Sequence, residues 1–363
     1  MEPIAPRSQL PVTEYTIPMR RAQACIELAA RQGWDIDTLL QEVGISPVLV
    51  AEGRSRISME QFADLIRALW RTTDDELMGL GLAPVPRGTM RLISYALVGT
   101  PDLGSVLRRY VELAKAVPGF PSIVVSAGPR EVRVSTELTV IKQHDELIID
   151  ALLAAGHRFA SWAIGRQIPL RRVEVPYPQP DEIDDYDVIF GAPVVFAAPT
   201  AAVVFDSKML AMPCIRTEVE LDEFLRRAPA GLLLRRDYGS SMSDQVRRIL
   251  AEGVNGQWST ADEIAARLAM SPQTLRRRLR DEHTSIRKIR EALLRDAAIA
   301  SLVRGEETVT ALSRRLGFSE PSAFTRAFRR WTGCSPGSYL PRAPLNAGSK
   351  GRVVAAGRVP RPG

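Results

Sequence analysis

The strongest constraint on the fold of this chain is a near-repeat in its last hundred residues. The segment IAARLAMS at positions 264–271 is matched 48 positions later by LSRRLGFS at positions 312–319. Each copy runs into an arginine-rich amphipathic segment, PQTLRRRLR after the first copy and EPSAFTRAFRR after the second. This pattern is typical of a short helix, a tight turn and a second helix with a basic outer face. Two such units on one chain predict a bipartite DNA-binding domain.

The first unit separates an inner from an outer helix face. We expect Thr260 to cap its first helix and Ser271 to cap its second, with Pro272 at the first helical position, where a missing N–H costs nothing. Leu275 and Leu279 lie four positions apart and therefore face the core. The outward positions carry side chains suited to reading guanine and adenine edges, and they are Gln273, Arg276, Arg277 and Arg280.

The second unit repeats this logic with one extra residue before the inward pair. Ser319 is expected to cap its second helix, and Pro321 follows two positions later. Phe324 and Phe328 are again four positions apart and are expected to face inward. The outward positions of this helix are Ser322, Thr325, Arg326 and Arg329.

A helical segment joins the two units. Residues 286–303, IRKIREALLRDAAIASLV, are predicted to form a helix that spans roughly 27 Å at about 1.5 Å per residue. Adjacent major grooves on one side of a duplex are about 34 Å apart, so the spacer can hold two recognition helices near that separation. The alternative for either unit alone is an ordinary helical bundle. Two copies with matched turn and cap positions favour DNA binding instead.

Charge is distributed unevenly along the chain. Its net charge is +6, but residues 1–239 hold 26 Lys and Arg against 31 Asp and Glu, a net of −5. Residues 240–340 hold 17 against 11, a net of +6, and residues 341–363 hold 5 against none. Positive charge concentrated in the C-terminal third is the expected footprint of a polyanionic partner.

The N-terminal two thirds mix helical and strand patterns. Helical periodicity predicts helices at 19–31, 35–42, 58–71, 89–98, 102–116 and 143–165. Runs rich in β-branched residues predict strands at 123–127, 131–138, 172–177, 194–196 and 202–205. The fold class is therefore multidomain, with an N-terminal mixed α/β sensor domain and a C-terminal all-α domain that carries two helix-turn-helix units joined by a linker helix.

The expected division of the chain follows from these patterns. Its parts are a disordered tail at 1–14, an effector-sensing and dimerisation domain at 15–236, a DNA-binding domain at 237–342 with units at about 260–280 and 309–331, and a disordered basic tail at 343–363.

Several classes of protein are excluded or disfavoured. The sequence lacks G-x-S-x-G, Walker A and zinc-binding signatures, and Gly79-Leu-Gly81-Leu-Ala-Pro84 has a proline where a dinucleotide fingerprint needs its third glycine. The three cysteines, Cys25, Cys214 and Cys334, are scattered, which argues against a disulfide framework or a structural zinc site. We therefore expect no enzyme activity, no cofactor and no metal.

The chain also lacks membrane and export signals. Its apolar runs are short and broken by charge, and residues 1–20 have neither a basic start nor a continuous apolar core. The expected location is the cytoplasm, with no membrane partner.

Residues 243–340 resemble the DNA-binding domain of AraC/XylS-family transcription regulators. The matching segments are TADEIAARLAMSPQTLRRRLRDEHTSI and VTALSRRLGFSEPSAFTRAFRRWTGCSPGSYL, of which the second is the more diagnostic. The resemblance implies that the eight outward positions of the two recognition helices contact bases and phosphates. Two departures are visible, since Ala269 stands where the family usually has Gly and Leu340 where it often has Arg.

Residues 20–215 resemble, more loosely, the arabinose-binding-like N-terminal domain of ornithine-utilisation and virulence regulators of that family. The segments are GTMRLISYALVGTPDLGSVLRRYVELAK and VIFGAPVVFAAPTAAVVFDSKMLAMP. The resemblance implies a homodimer that binds promoter or operator DNA, responds to a small-molecule effector of unknown identity and, if it is an activator, contacts RNA polymerase. The alternative is an N-terminal domain that only oligomerises and senses no ligand.

Overall fold

The computed structural model describes residues 15–142, 146–180, 186–226, 229, 241–254, 258–282 and 284–341. The predicted tails at 1–14 and 343–363 lie outside these residues, as does the predicted domain boundary between 236 and 237.

Every helix predicted by periodicity in the N-terminal part is present, and α3, α8 and α9 are additional. The helices are α1 (Met19–Arg31), α2 (Ile36–Glu42), α3 (Pro47–Ala51), α4 (Met59–Thr73), α5 (Thr89–Leu97), α6 (Leu103–Ala116), α7 (Glu146–Ala163), α8 (Tyr186–Ile189) and α9 (Glu218–Arg226), with a 3-10 helix at Ser207–Ala211.

Side-chain caps begin α2, α4 and α6, and the caps of α4 and α6 illustrate the geometry. The Ser58 hydroxyl accepts a hydrogen bond from the Gln61 N–H, and the Gln61 side chain accepts one from the Ser58 N–H, each at 3.1 Å, which forms a capping box. The Asp102 carboxylate accepts from the Ser105 N–H at 2.7 Å at the start of α6. Both caps satisfy N–H groups that have no partner inside the helix.

The main sheet has five strands in the order β3-β4-β7-β5-β6. Its strands are β3 (Ile123–Ala127), β4 (Glu131–Thr136), β5 (Leu170–Glu174), β6 (Val194–Val195) and β7 (Ala201–Asp206). All neighbours pair antiparallel except β5 and β6, which are parallel. The central strand β7 is buried along Ala201–Phe205 and packs against α7, so the sheet and α7 form the middle of the N-terminal core.

A second, smaller sheet consists of two three-residue strands, β1 (Thr16–Pro18) and β2 (Arg56–Ser58), which pair antiparallel. We call it the β1–β2 ribbon. All six of its residues are buried. Three residues are too few to show a strand period, so the sequence did not predict this element.

A buried polar cluster ties α1 to α7 and α8. The Arg21 guanidinium donates to the Asp150 carboxylate at 2.8 Å, and the Tyr177 hydroxyl donates to the same carboxylate. The Tyr186 hydroxyl donates to Tyr177 at 3.2 Å. Burial and the Asp150 charge raise the pKa of Tyr177, so its hydroxyl stays protonated and acts as a donor.

The C-terminal part is wholly helical among the described residues. Its elements are α10 (Met242–Ala251), α11 (Ala261–Arg267), α12 (Pro272–Asp281), the linker helix α13 (Ile286–Arg304), α14 (Val309–Arg315), α15 (Pro321–Thr332) and a 3-10 helix at Pro336–Tyr339. The helix-turn-helix units are α11–α12 and α14–α15. Ser285 caps the linker helix, and Gly305, with φ of 65°, ends it in a left-handed conformation.

The two units have different cores. The first unit is built on a cluster of its own, which includes Val246, Ile264, Leu275 and Leu279 together with Leu293 of the linker helix. The second unit shares its core with the N-terminal part: one continuous cluster contains Ile17 and Ile57 of the ribbon and, from the C-terminal part, Ile299, Leu312, Phe324, Phe328 and Tyr339.

One predicted cap is wrong. Thr260 and Ser271 cap α11 and α12 as expected, but the N-cap of α15 is Glu320 rather than Ser319, and no side chain caps it. The reason is the proline, which takes the first helical position and makes the preceding residue the N-cap. In the first unit serine precedes proline directly, whereas in the second Glu320 stands between Ser319 and Pro321.

The turns of the two units close with the same hydrogen bond but differ in strain. The Met270 N–H donates to the Ala265 carbonyl at 3.0 Å, and the Phe318 N–H donates to the Ser313 carbonyl at 2.9 Å. The residue before each donor has a positive φ, 52° at Ala269 and 81° at Gly317. A side chain at such a φ costs about 1–2 kcal/mol, so the first turn is strained where the second is not.

Ala269→Gly is therefore expected to raise the free energy of unfolding by about 0.5–1 kcal/mol, after the greater entropy of an unfolded glycine is subtracted. Urea denaturation measures the change. Ala266→Gly is a matched control, because Ala266 is also exposed but lies within α11, where glycine should lower the free energy by about 1 kcal/mol. Destabilisation by both changes would contradict strain in the turn.

A carboxylate joins the linker helix to the second unit. Glu307 accepts hydrogen bonds from the Ser301 hydroxyl at 2.7 Å and from the Arg315 guanidinium at 2.6 Å. Partial burial acts to raise the pKa of Glu307, but these bonds outweigh it and bring the pKa below its usual value.

Glu307→Gln is expected to lower the free energy of unfolding at pH 7 by about 1–3 kcal/mol, as for other hydrogen bonds to charged groups. Because the folded pKa is lowered, the wild-type advantage is full above the unfolded value of about 4.3 and is lost as the pH falls through the folded value. Urea denaturation of both proteins at pH 7 and in the acid range checks this. An equally large difference at both pH values would show that the charge of Glu307 is not involved.

Candidate nucleic-acid interface

The first recognition helix, α12, presents its predicted reading face to solvent. The Ser271 hydroxyl accepts from the Thr274 N–H at 3.1 Å, and Pro272 follows as the first helical residue. Leu275 and Leu279 are buried in the first unit's core. The opposite face is exposed over all four predicted positions, Gln273, Arg276, Arg277 and Arg280.

The second recognition helix, α15, is anchored by aromatic side chains. Phe324 and Phe328 are both 0% exposed, with ring centroids 5.6 Å apart. In the turn, Phe318 packs on Phe324 at 5.4 Å and on Trp331 at 6.3 Å. Ser322, Arg326 and Arg329 are exposed, as predicted, and Thr325 is half-buried.

Two of the predicted polar positions on α15 already make hydrogen bonds within the protein. The Thr325 hydroxyl donates to the Pro321 carbonyl at 2.9 Å, and the Ser322 hydroxyl donates to the Glu320 carboxylate at 3.1 Å. A hydroxyl oxygen keeps acceptor capacity when its proton is used. Both side chains can therefore accept from a base or amide without breaking these bonds, but can donate only by giving them up.

The arginines on the two reading faces have no carboxylate partners within the described ranges. No ion pair involves Arg276, Arg277, Arg280, Arg326 or Arg329 there, whereas other arginines of the same region are paired. Examples are Arg267 with Glu252 at 2.7 Å and Arg315 with Glu307 at 2.6 Å. Uncompensated positive charge is thus concentrated on the faces of α12 and α15, which suits a polyanionic partner.

Two exposed arginines of these helices lie outside the reading face predicted from the sequence. Arg278 on α12 and Arg330 on α15 are both exposed, and neither forms an ion pair among the described residues. The signal was present in the runs RRR at 276–278 and RR at 329–330. Neighbouring residues on a helix point about 100° apart, so these side chains lie beside the predicted face and can reach a flanking phosphate.

The segment that contains Gly79 and Gly81 is held together by hydrogen bonds within its own loop. The Asp75 carboxylate accepts from the N–H groups of Leu77, Gly79 and Val85, at 2.8–2.9 Å. These N–H groups are therefore used by a buried carboxylate of the loop and are not available to the phosphates of a dinucleotide.

Other chemistry is sparse in the described part of the chain. No group of three His, Cys, Asp or Glu side chains there is arranged to hold a metal ion. None of the described helices combines the length and apolar character needed to cross a membrane. Cys25 and Cys334 are buried and Cys214 is partly buried, and no disulfide joins any of them within the described residues.

Comparison with known proteins finds one family match in the N-terminal part of the chain and another in the C-terminal part. Residues 33–214 match the family described as the arabinose-binding domain of AraC transcription regulators, and residues 264–342 match a helix-turn-helix domain. The chain is similar to the ornithine utilization regulator of Pseudomonas aeruginosa, with 23% identity over 340 residues that cover 92% of this chain and 98% of the relative.

Further matches cover about a quarter of the chain or most of it. The virulence regulon transcriptional activator VirF of Shigella flexneri is 29% identical over 99 residues, which cover 27% of this chain and 37% of VirF. Among solved structures, the transcriptional regulator CdpR of Pseudomonas aeruginosa is 19% identical and has a TM-score of 0.28, with 88% of this chain and 97% of CdpR covered. Because the arabinose-binding-domain match spans half of the chain and the helix-turn-helix match covers the two units, this protein belongs to the AraC family of DNA-binding transcription regulators.

Proposed function

We propose that each subunit places α12 and α15 in two successive major grooves of its operator. The observation that carries this proposal is the matched pair of exposed, uncompensated arginine faces, each opposite a buried pair of apolar residues. The proposed contacts to bases and phosphates are Gln273, Arg276, Arg277, Arg280, Ser322, Thr325, Arg326 and Arg329. The linker helix, 19 residues and about 28 Å long, supports this spacing because adjacent grooves are about 34 Å apart.

The two reading faces differ in chemistry. The face of α12 combines one amide with arginines, a set suited to an adenine and to guanine or phosphate contacts. The face of α15 combines two hydroxyls with two arginines. A subunit with unlike readers favours a half-site whose two segments differ in sequence.

For the N-terminal domain we propose effector binding and subunit pairing in the cytoplasm. The support is its match to an arabinose-binding domain and its similarity along nearly the whole chain to a regulator named for ornithine utilization. The effector of this chain is a small metabolite whose class the name of one relative does not fix. If the protein is an activator, RNA polymerase is its further partner.

Arg326→Ala is expected to weaken binding to the preferred DNA by about 1–3 kcal/mol and to relax the preference at one base pair, because a bidentate base contact is lost. Sequence selection from a random duplex library with the full chain, followed by titration, measures both effects. Arg304→Ala is the matched control, since it removes the same charge from the end of the linker helix, where Arg304 pairs with Glu306. Equal losses for both variants, with unchanged base preference, would contradict the assignment of α15 as a reader.

The effector proposal predicts that a metabolite raises the melting temperature of the full chain in a concentration-dependent way, because a ligand that binds only the folded state stabilises it. Ornithine and other amino acids are the first candidates to screen. Arabinose is screened alongside them, because the matching domain family is named for it. A protein that remains dimeric while no metabolite shifts its melting temperature would favour the alternative, an N-terminal domain that only oligomerises.

A further inference from the structure

The β1–β2 ribbon of the N-terminal domain contacts three parts of the DNA-binding domain at once. It packs against the linker helix, and Arg56 and the adjacent Tyr15 contact the 3-10 helix that follows the second unit and the helix α10 that precedes the first. The ribbon is far from the reading faces in sequence, and the proposed DNA contacts do not include it.

The central contact is a buried chain of hydrogen bonds to the linker helix. The Thr16 hydroxyl donates to the Asp296 carboxylate at 2.6 Å. The Arg56 guanidinium donates to the Thr16 hydroxyl and to the Thr16 carbonyl, each at 2.9 Å. Arg295 donates to the same Asp296 oxygen at 3.1 Å. Thr16, Arg56 and Asp296 are each at most 6% exposed, so the carboxylate is held by directed bonds and is largely shielded from water.

A second contact joins the ribbon to the second unit. The Arg56 N–H donates to the Tyr339 hydroxyl at 3.1 Å. The Tyr339 ring packs edge-on against Phe328 of α15 at 5.2 Å. Close by, Glu52 lies against Gly333 at the end of α15, where a Cβ atom would approach the Glu52 carboxylate to 2.5 Å. The N-terminal domain therefore touches the end of the second recognition helix and the turn that follows it.

A third contact reaches α10, a helix that packs in the core of the first unit. Tyr15 is the residue directly before β1, and the guanidinium of Arg247 on α10 lies 5.6 Å from the centre of its ring. On the same helix, Val246 and Leu250 are fully buried in the first unit's core. The ribbon and the residue directly before it are thus in contact with α10, the linker helix and the 3-10 helix after α15.

These contacts matter because, among the described residues, the two units are otherwise connected by the linker helix and by Val254 and Trp258, which pack against both cores. The first half of the linker helix belongs to the first unit's core through Ile289 and Leu293, and its second half belongs to the shared core through Ile299 and Leu302. Bending of this helix would change the distance and angle between α12 and α15. Buried polar groups with all their partners in place resist such a change, because each displaced group would lose bonds without gaining water.

We propose that the β1–β2 ribbon is a brace that sets the separation and relative angle of the two recognition helices, and that Thr16 and Asp296 are its positioning residues. The proposal rests on α12 and α15 being the two readers. A rigid pair of readers must discriminate between DNA sites by spacing, since one inserted base pair moves the second groove by about 3.4 Å and rotates it by about 35°.

The test compares binding to two duplexes by the full chain. Selection from a random library first identifies the preferred two-segment site, and one base pair is then inserted between its segments. We expect the wild type to bind the original spacing at least about 10-fold more tightly than the expanded one, a difference of about 1.4 kcal/mol. Thr16→Val keeps the shape and strand preference of the residue but removes its hydroxyl, and it should reduce the ratio to about 2-fold or less.

Two further variants complete the design. Tyr339→Phe removes only the hydroxyl that joins the ribbon to the second unit, so it should lower the ratio in the same direction and preserves the test if Thr16→Val folds poorly. Glu291→Gln is the control, because it removes a carboxylate from the same helix where that group pairs only loosely with Arg287, at 3.7 Å. Its spacing ratio should equal that of the wild type.

The outcomes separate the brace from the readers. Equal ratios in the wild type, Thr16→Val and Tyr339→Phe would overturn the brace, even if overall affinity or melting temperature fell. A wild type that selects no two-segment site would overturn the proposed readers themselves. A lowered ratio in Glu291→Gln would overturn the assignment to Thr16 and Asp296, because any change in the helix would then have the same effect.

Discussion

Burial of two apolar side chains four positions apart fixes what each recognition helix can do. Leu275 and Leu279 on α12, and Phe324 and Phe328 on α15, are inserted into their cores and are at most 1% exposed. Because a helix turns about 100° per residue, this burial forces the arginines between and beside them outward. Without that anchoring the same arginines would sit on a helix free to rotate, and their charge could not be aimed at a groove.

The anchors of the two units are embedded differently. The first unit packs around its own cluster, whereas the core of the second continues into the N-terminal domain. The first turn is strained at Ala269, and the second is relaxed at Gly317 and filled by Phe318. The second unit is thus part of the larger folded body, and the first is attached to that body mainly through the linker helix and the ribbon.

Electrostatics separates structural arginines from reading arginines. The Arg315 guanidinium donates to Glu307, and the Arg56 guanidinium donates to Thr16 of the ribbon, so the donors of both arginines are used inside the protein. The arginines of α12 and α15 face solvent instead and remain available to phosphates and base edges. The sequence shows only that arginines are abundant here, and the three-dimensional pairing decides which of them can bind DNA.

The local features of this protein follow from the order of its amino acids alone. The spacing of Leu275 and Leu279, the caps at Ser58 and Thr260 and the charge of the C-terminal third all act over a few residues, so their consequences can be predicted without a structure. The same local logic failed at Ser319, where one inserted residue moved the cap to Glu320. Tertiary structure alone decided the shared core and the ribbon contacts. Thr16 meets Asp296 across 280 positions of sequence, through strands too short to carry a period, so only folding of the whole chain brings them together.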